Sequence, residues 1–401
     1  MKKSWRELEQ QQSKIEYQKD ILKVFIADVL PTECCQRENM EDRMIEMENL
    51  VNTFGGVVII KHIQKRGTPD YATYIWNGKL KEIMAEMETS GANLLIFGNV
   101  LKPYQIYNVN EKLREIWAKS WDRVDLILKI FERHAKTIEA RLQIELAAIH
   151  HMGPRIFGMW LELSSQGRGG GQSRGKWETN TEIMKRHLQE REIGIRKELE
   201  KFKRVRNEHR KSRKRKGFIS IGIVGYTNAW KSSLLNLLTK KGVLAQDKLF
   251  ATLWTSVGKM HIAYTQISEI IKKKLGLSEY QDLSILLSDT IWFIRDLPPN
   301  LIDAFSSTLE DSIEADILLH VVDASDPKID EKIQVVDDIL TQIWAKQKKI
   351  YVFNKIDAIS SSRKEELDFR FQDTQRVFVS TYEKKGQEEL IQKLLKTISE
   401  N

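Results

Sequence analysis

Apolar residues along this chain follow two rhythms, one of short dense runs and one of helical spacing. In the first 120 residues, Leu22–Leu30, Val57–His62 and Asn93–Phe97 are apolar runs of strand length. Between and after them, Lys79–Ser90 and Tyr104–Ile116 carry their apolar positions three and four apart, as a half-buried helix does. This alternation predicts a small α/β domain over residues 1–120. From Asp125 the rhythm turns wholly helical. Leu126, Ile127, Ile130, Phe131, Ile138, Leu142 and Leu146 share one face of a single predicted helix that ends near Gly153-Pro154. A glycine-rich loop from Gly167 to Gly175 follows, then a charged helix from about Thr179 to Arg213. Two long helices around a flexible loop predict an antiparallel hairpin over residues 121–216, with the apolar face as its core.

Gly217 opens the third region, residues 217–401. Phe218–Val224, Leu283–Ser288, Ile317–Val322 and Ile350–Phe353 read as strands, and Ser232–Leu238 begins a helix. Polar motifs follow the carboxyl ends of these strands, where a doubly wound α/β sheet binds its ligand. The predicted class is therefore α/β throughout: an amino-terminal α/β domain with a long helical hairpin, then a doubly wound phosphate-loop domain.

The polar motifs carry the chemistry. Gly225-Tyr226-Thr227-Asn228-Ala229-Trp230-Lys231-Ser232, with Ser233 next, has the frame of a phosphate-binding loop except that Trp230 stands where the pattern needs glycine. Its N–H groups and the following helix terminus suit phosphates, Lys231 suits the terminal ones, and Ser232 suits Mg²⁺. Asp289-Thr290-Ile291-Trp292 has the form of the element whose aspartate holds that magnesium through water, again ending in tryptophan. Asn354-Lys355-Ile356-Asp357 is an intact guanine-reading motif: Asn354 and Asp357 can pair with the base edge, and Lys355 can pack along the base. Ser380 and Thr381 complete the candidate nucleotide set. Any one motif has an innocent reading as a turn or a helix cap. Their joint occurrence after successive strands points to GTP and GDP as ligands. Thr252 is the better candidate for sensing Mg²⁺ and the γ-phosphate, and Thr255 the second. Phe293 stands where many GTPases keep a water-orienting glutamine, so slow intrinsic hydrolysis is expected.

Bulk properties narrow the setting. Charged residues make up 30% of the 401, and no apolar run approaches the roughly 20 residues of a membrane helix. The amino terminus shows no apolar signal region, and Cys34 and Cys35 are adjacent with no metal-ligand or disulfide spacing. A cytoplasmic location without membrane contact is expected. The net charge is only +8, yet residues 201–216 hold ten Lys or Arg against Glu208 alone. Such a run is commonly a solvated helix face; its functional reading is a stripe for a polyanion such as ribosomal RNA.

Several strings together resemble the HflX family of ribosome-associated GTPases. They are Gly225 to Ala229, Leu249-Phe250-Ala251-Thr252-Leu253, Phe293-Ile294-Arg295-Asp296-Leu297-Pro298 and Leu319-His320-Val321-Val322-Asp323-Ala324-Ser325-Asp326. Gly78-Lys79-Leu80, Asp122-Arg123, Glu139 to Leu146 and Pro154-Arg155 extend the likeness through the amino-terminal half. The resemblance implies a hairpin loop that reaches the large ribosomal subunit, and a role in splitting or rescuing stalled ribosomes. Two departures concern length: Gln266–Gln281 is longer than usual, and the chain ends one helix beyond Ser380, without a further carboxyl-terminal domain found in some members.

The third departure is tryptophan. Trp76, Trp117, Trp177, Trp230 and Trp292 stand at glycine positions of the resemblance, with Trp254 and Trp344 as less secure additions. Trp121 and Trp160 sit where an aromatic is tolerated. Glycine is scarce at 21 residues, below the usual share of roughly 7%. Decay would scatter many residue types and would also damage Lys231, Asp289 and Asn354. One uniform exchange instead matches a UGA codon read as tryptophan where the organism reads glycine. The alternatives are a pseudo-GTPase that binds only the ribosome or RNA, and, more weakly, an ATP-driven RNA remodeller.

Overall fold

The computed structural model describes residues 22–30, 37–135, 137–166, 174–239, 256–267, 269–275, 282–289, 301 and 314–400. The chain divides into two compact units, residues 1–133 with 145–193, and residues 134–144 with 194–401.

In the first unit, β1 (Leu22–Leu30), α1 (Arg37–Phe54), β2 (Gly56–Lys65), α2 (Asn77–Ser90), β3 (Leu94–Phe97), α3 (Pro103–Leu113), β4 (Lys119–Trp121) and α4 (Arg123–His134) follow in order. The strands form a parallel sheet of order β2-β1-β3-β4. On α2, Leu80, Ile83 and Met87 fall three and four apart, so one stripe of that helix is buried. They join Phe25, Ala27, Leu95 and Phe97 from the sheet in one apolar cluster. Burying such a side chain contributes about 1.5–3 kcal/mol. The expected α/β domain is present.

The hairpin is also present, with different joints. The single helix expected from Asp125 is two: α4 stops at His134, and α5 runs Ile138–Gln166. Thr137 explains the restart, because its Oγ1 accepts the Ala140 N–H at 3.2 Å as an N-cap. An unbroken apolar stripe hid this short polar signal. The backbone of α5 then continues past Gly153-Pro154, where an end was expected. The charged helix α6 begins at Arg174 and reaches Arg215, so Trp177 lies within a helix rather than in the loop. Residues 167–173 of the glycine-rich loop lie outside the described residues. Ion pairs hold α5 against α6 within each unit. In the first unit Arg191 grips Glu145 through two bonds of 2.7 and 2.8 Å, and His150 meets Glu192 at 3.0 Å. In the second unit Arg206 pairs with Glu139.

The second unit carries a six-stranded sheet. Its elements are β5 (Ile219–Val224), α7 (Lys231–Thr239), β6 (Ser256–Ile262), α8 (Glu269–Leu275), β7 (Leu283–Asp289), β8 (Ile317–Asp323), α9 (Ile329–Gln342), β9 (Lys348–Asn354), α10 (Ser361–Arg370), β10 (Arg376–Phe378) and α11 (Gln387–Ser399). The strand order is β10-β9-β8-β5-β7-β6. All neighbours are parallel except β6, which runs antiparallel to β7 from Ser256 opposite Asp289 to Ile262 opposite Leu283. Buried Ile221 and Ile223 of β5, Leu287 of β7, Leu319 and Val321 of β8 and Val352 of β9 form the core with Leu234 and Leu235 of α7. Strands covered on both faces read as continuous apolar runs, as β8 does. The doubly wound expectation holds; β6 and β10 were not foreseen.

Candidate nucleotide-binding site

The site lies at the carboxyl edge of the second sheet. Strand β5 ends at buried Val224 and runs directly into Gly225, whose φ is +154°. A Cβ at Gly225 would sit 2.3 Å from the Val321 carbonyl oxygen of β8, so only glycine fits there. Asn228 and Trp230 are left-handed, with φ of 63° and 62°. Left-handed residues let successive N–H groups converge in a concavity that suits an anion. The Trp230 carbonyl accepts the Leu234 N–H at 3.1 Å and so starts α7. Tyr226, Thr227 and Ala229 are buried, Asn228 is exposed, and Ser233 is half-buried in the first turn.

Lys231 bends back into the loop and donates from Nζ to the carbonyls of Gly225 and Tyr226, each at 2.8 Å. Burial lowers its pKa to about 8, against the opposing pull of the Asp289 carboxylate. Ser232 Oγ donates to Asp289 Oδ2 at 2.6 Å, and both residues are buried. A hydroxyl and a carboxylate side by side are hard oxygen donors that fit Mg²⁺.

Across the sheet edge, Asn354 ends β9 and is fully buried. Its Nδ2 donates to the Ala229 carbonyl at 3.1 Å, and its Oδ1 accepts the Thr381 N–H at 3.1 Å. These two bonds tie the guanine motif to the phosphate loop and to the Thr381 loop. Asp357 accepts from Ser380 Oγ, which also accepts the Glu383 N–H at 3.0 Å. Lys355 is left-handed at φ 64°, its Nζ is 2.6 Å from Asp323 Oδ2, and it stands 5.1 Å from the Trp230 ring centre.

The structure thus brings together Gly225 to Ser233, Asp289, Asn354, Lys355, Asp357, Ser380 and Thr381. Thr252, Thr255, Thr290, Ile291, Trp292 and Phe293 lie outside the described residues. Sequence reasoning missed Asp323 as the anchor of Lys355; its signal was an aspartate at the end of an apolar strand. It also missed that Thr381 acts through its main chain.

Comparison with known proteins agrees with this arrangement. Residues 41–132 match the family described as GTP-binding GTPase N-terminal, and residues 134–213 match the GTP-binding GTPase Middle Region. Residues 220–355 match the family described as 50S ribosome-binding GTPase. The chain is 37% identical to GTPase HflX of Alkalihalophilus pseudofirmus, over 80% of this chain and 71% of that protein. It is 36% identical to GTPase HflX of Escherichia coli K12, over 81% of this chain and 71% of that protein. Among solved structures, SsGBP in complex with GDP is 25% identical with a TM-score of 0.52, covering 94% of this chain and 99% of that one.

Proposed function

The chain belongs to the GTPase HflX family, GTP-hydrolysing enzymes, and from that premise we propose that it couples its nucleotide state to association with the large ribosomal subunit. The observation that carries the proposal is the meeting of the phosphate loop, Asp289 and the Asn354–Asp357 motif at one sheet edge. The division of labour proposed is an α/β domain over 1–120, a hairpin over 121–216 and the GTPase domain over 217–401. It operates in the cytoplasm, and among the described residues no helix is long and apolar enough to cross a membrane.

The loop N–H groups and the amino end of α7 bind the phosphates, and Lys231 supplies a cation to them. Ser232 and Asp289 would hold Mg²⁺, with Thr252 joining them in the GTP state, and the metal would supply positive charge to the phosphates there. Asp357 accepts the ring N–H and exocyclic amino protons that distinguish guanine from adenine. Lys355, fixed by Asp323, lies alongside the base. Phe293 cannot orient the attacking water, so hydrolysis is slow until a partner supplies that group. Hairpin contact with ribosomal RNA then releases stalled ribosomes when the GTP form binds.

The test is cosedimentation with large subunits in GTP, a non-hydrolysable analogue and GDP, alongside phosphate release. Binding indifferent to nucleotide would sink the coupling. A second reading, a nucleotide-free ribosome-binding protein, is favoured by one observation, the Trp230 indole standing in the phosphate loop. Failure of a chain with glycine at 230 to bind GDP would favour that reading.

A further inference from the structure

Two helices of this protein end in the same hydrogen-bond pattern around a left-handed tryptophan. At the end of α3 and its short 3-10 extension, Trp117 N–H donates to Arg114 O at 3.2 Å and Ala118 N–H to Leu113 O at 3.1 Å. At the end of α9, Trp344 N–H donates to Thr341 O at 3.0 Å and Ala345 N–H to Leu340 O at 3.0 Å. These are Schellman caps, in which the residue after the cap takes a left-handed φ and is usually glycine. Here φ is 56° at Trp117 and 60° at Trp344.

The protein supplies its own comparison. The end of α2 makes the same pair of bonds, Gly91 N–H to Glu88 O at 3.4 Å and Ala92 N–H to Met87 O at 2.9 Å, with φ 66° at Gly91. All three caps are followed by alanine. At the end of α6, Gly217 has φ 71° and Phe218 N–H donates to Arg213 O at 3.2 Å, the longer bond of the same motif. Glycine and tryptophan therefore fill one backbone role in one chain. The two indoles offer no compensating burial, since Trp117 is 92% and Trp344 77% exposed.

Trp230 is the third case. Its φ of 62° starts a helix rather than ending one, and its ring stands over Lys355 in the phosphate loop. Three of the seven non-glycine left-handed residues among those described are tryptophan. A bulky aromatic side chain is a poor occupant of that region.

We infer that positions 117, 230 and 344 are glycine in the native protein, their codons having been read as tryptophan in this sequence. The assignment at 230 rests on the nucleotide-binding reading as well as on its backbone; those at 117 and 344 rest on cap geometry alone. The structure also sorts the other tryptophans. Trp121 lies in a strand and packs edge-on against Phe54 at 5.4 Å between ring centres, and its backbone makes no demand for glycine. Trp76 has φ −56° and ψ 139°, and Arg66 stands 4.7 Å from its ring centre; its backbone makes no demand for glycine. Trp177 lies in the α6 span, and Trp254 and Trp292 lie outside the described residues.

The direct test is peptide mass spectrometry of the protein purified from its own organism. Peptides across 117, 230 and 344 should be lighter than the written sequence by the mass difference between tryptophan and glycine residues. The corresponding codons should be UGA, with UGG at Trp121. Tryptophan in any of the three peptides overturns the assignment at that position. A recombinant chain gives a second reading: Trp117→Gly and Trp344→Gly should each raise the Tm of the unit that holds it by about 2–4 °C. An unchanged or lower Tm would remove the conformational ground. Trp230→Gly should convert weak GDP binding into tight binding. Glycine found at 230 in the native protein, with GDP still unbound by this variant, would uphold the decoding and defeat the nucleotide-binding function instead.

Discussion

Asn354 and Ala229 are joined by a 3.1 Å hydrogen bond from the side-chain amide to the main-chain carbonyl, which ties the guanine motif to the phosphate loop. The same side chain receives the Thr381 N–H, so a single buried asparagine sets the spacing of three loops. The guanine motif and the phosphate loop are thereby mechanically linked. Lys355, next along the chain, is fixed from the other side by Asp323.

Removing that link should damage structure and binding together. Asn354→Ala strands a buried carbonyl and an N–H, which costs about 2–6 kcal/mol at roughly 1–3 per missing partner. In a chain with glycine at 230, a lower midpoint in thermal unfolding, with GDP affinity reduced more than tenfold by calorimetry, is the expected outcome. Full GDP affinity in this variant would show that the loops hold their spacing without Asn354.

Asp357 should decide which base is read. In a chain with glycine at 230 and 292, Asp357→Asn is expected to weaken GDP by at least tenfold and to improve xanthosine diphosphate. Direct titration of GDP, XDP and ADP against both chains checks this. Equal affinity of the parent for ADP and GDP would remove the guanine assignment.

Much of this was legible in the sequence because it rests on short-range pattern. The apolar runs of β5, β7, β8 and β9 are continuous since these strands are covered on both faces, and each polar motif follows directly from one. What escaped notice depends on single polar atoms or on distant partners. The break before α5 hangs on one Thr137 hydroxyl inside an otherwise uninterrupted apolar stripe. The Asp323–Lys355 pair joins the last residue of β8 to the residue just after β9, and no local spacing announces it. Edge strands β6 and β10 are short or mixed in polarity, so they lack the signature of their buried neighbours. The tryptophan exchange was visible at 230 from its motif, but the strength of the case at 344 came only from its left-handed cap.

His320 should make the second unit sensitive to mild acid. It is buried on β8, with Nδ1 3.6 Å from Asp337, its ring 5.2 Å from Tyr351, and the positive charges of Lys349 and Lys231 acting against protonation. Burial, above all, holds its pKa below the ordinary 6.5, despite the opposing pull of Asp337. The unfolded chain therefore takes up a proton near pH 6.5 that the folded chain resists. Stability from this group is complete above that pH and lost as pH falls below it, with a slope of at most about 1.4 kcal/mol per pH unit. Urea unfolding at pH 7.5 and 5.5 measures the loss, and His320→Gln should flatten it. An equal loss in the variant would assign the acid sensitivity elsewhere.

The basic run of α6 divides into two faces with different expected roles. Lys201, Arg204, Lys211 and Arg215 follow one another at helical spacing, and all are exposed. Arg206 and Arg210 are turned inward, 22% and 16% exposed, and pair with Glu139 and Glu314. Neutralising the four exposed residues with glutamine should weaken large-subunit binding more than tenfold at moderate salt. It should also lower the log–log salt slope by about 0.7–0.9 for each phosphate no longer neutralised. GDP affinity should be unchanged. Replacing Arg206 and Arg210 should instead cost about 0.2–1 kcal/mol of stability per pair and leave the salt slope nearly intact. Cosedimentation across a salt series separates the two outcomes, and a slope equally indifferent to both sets would make the stripe an ordinary solvated helix face.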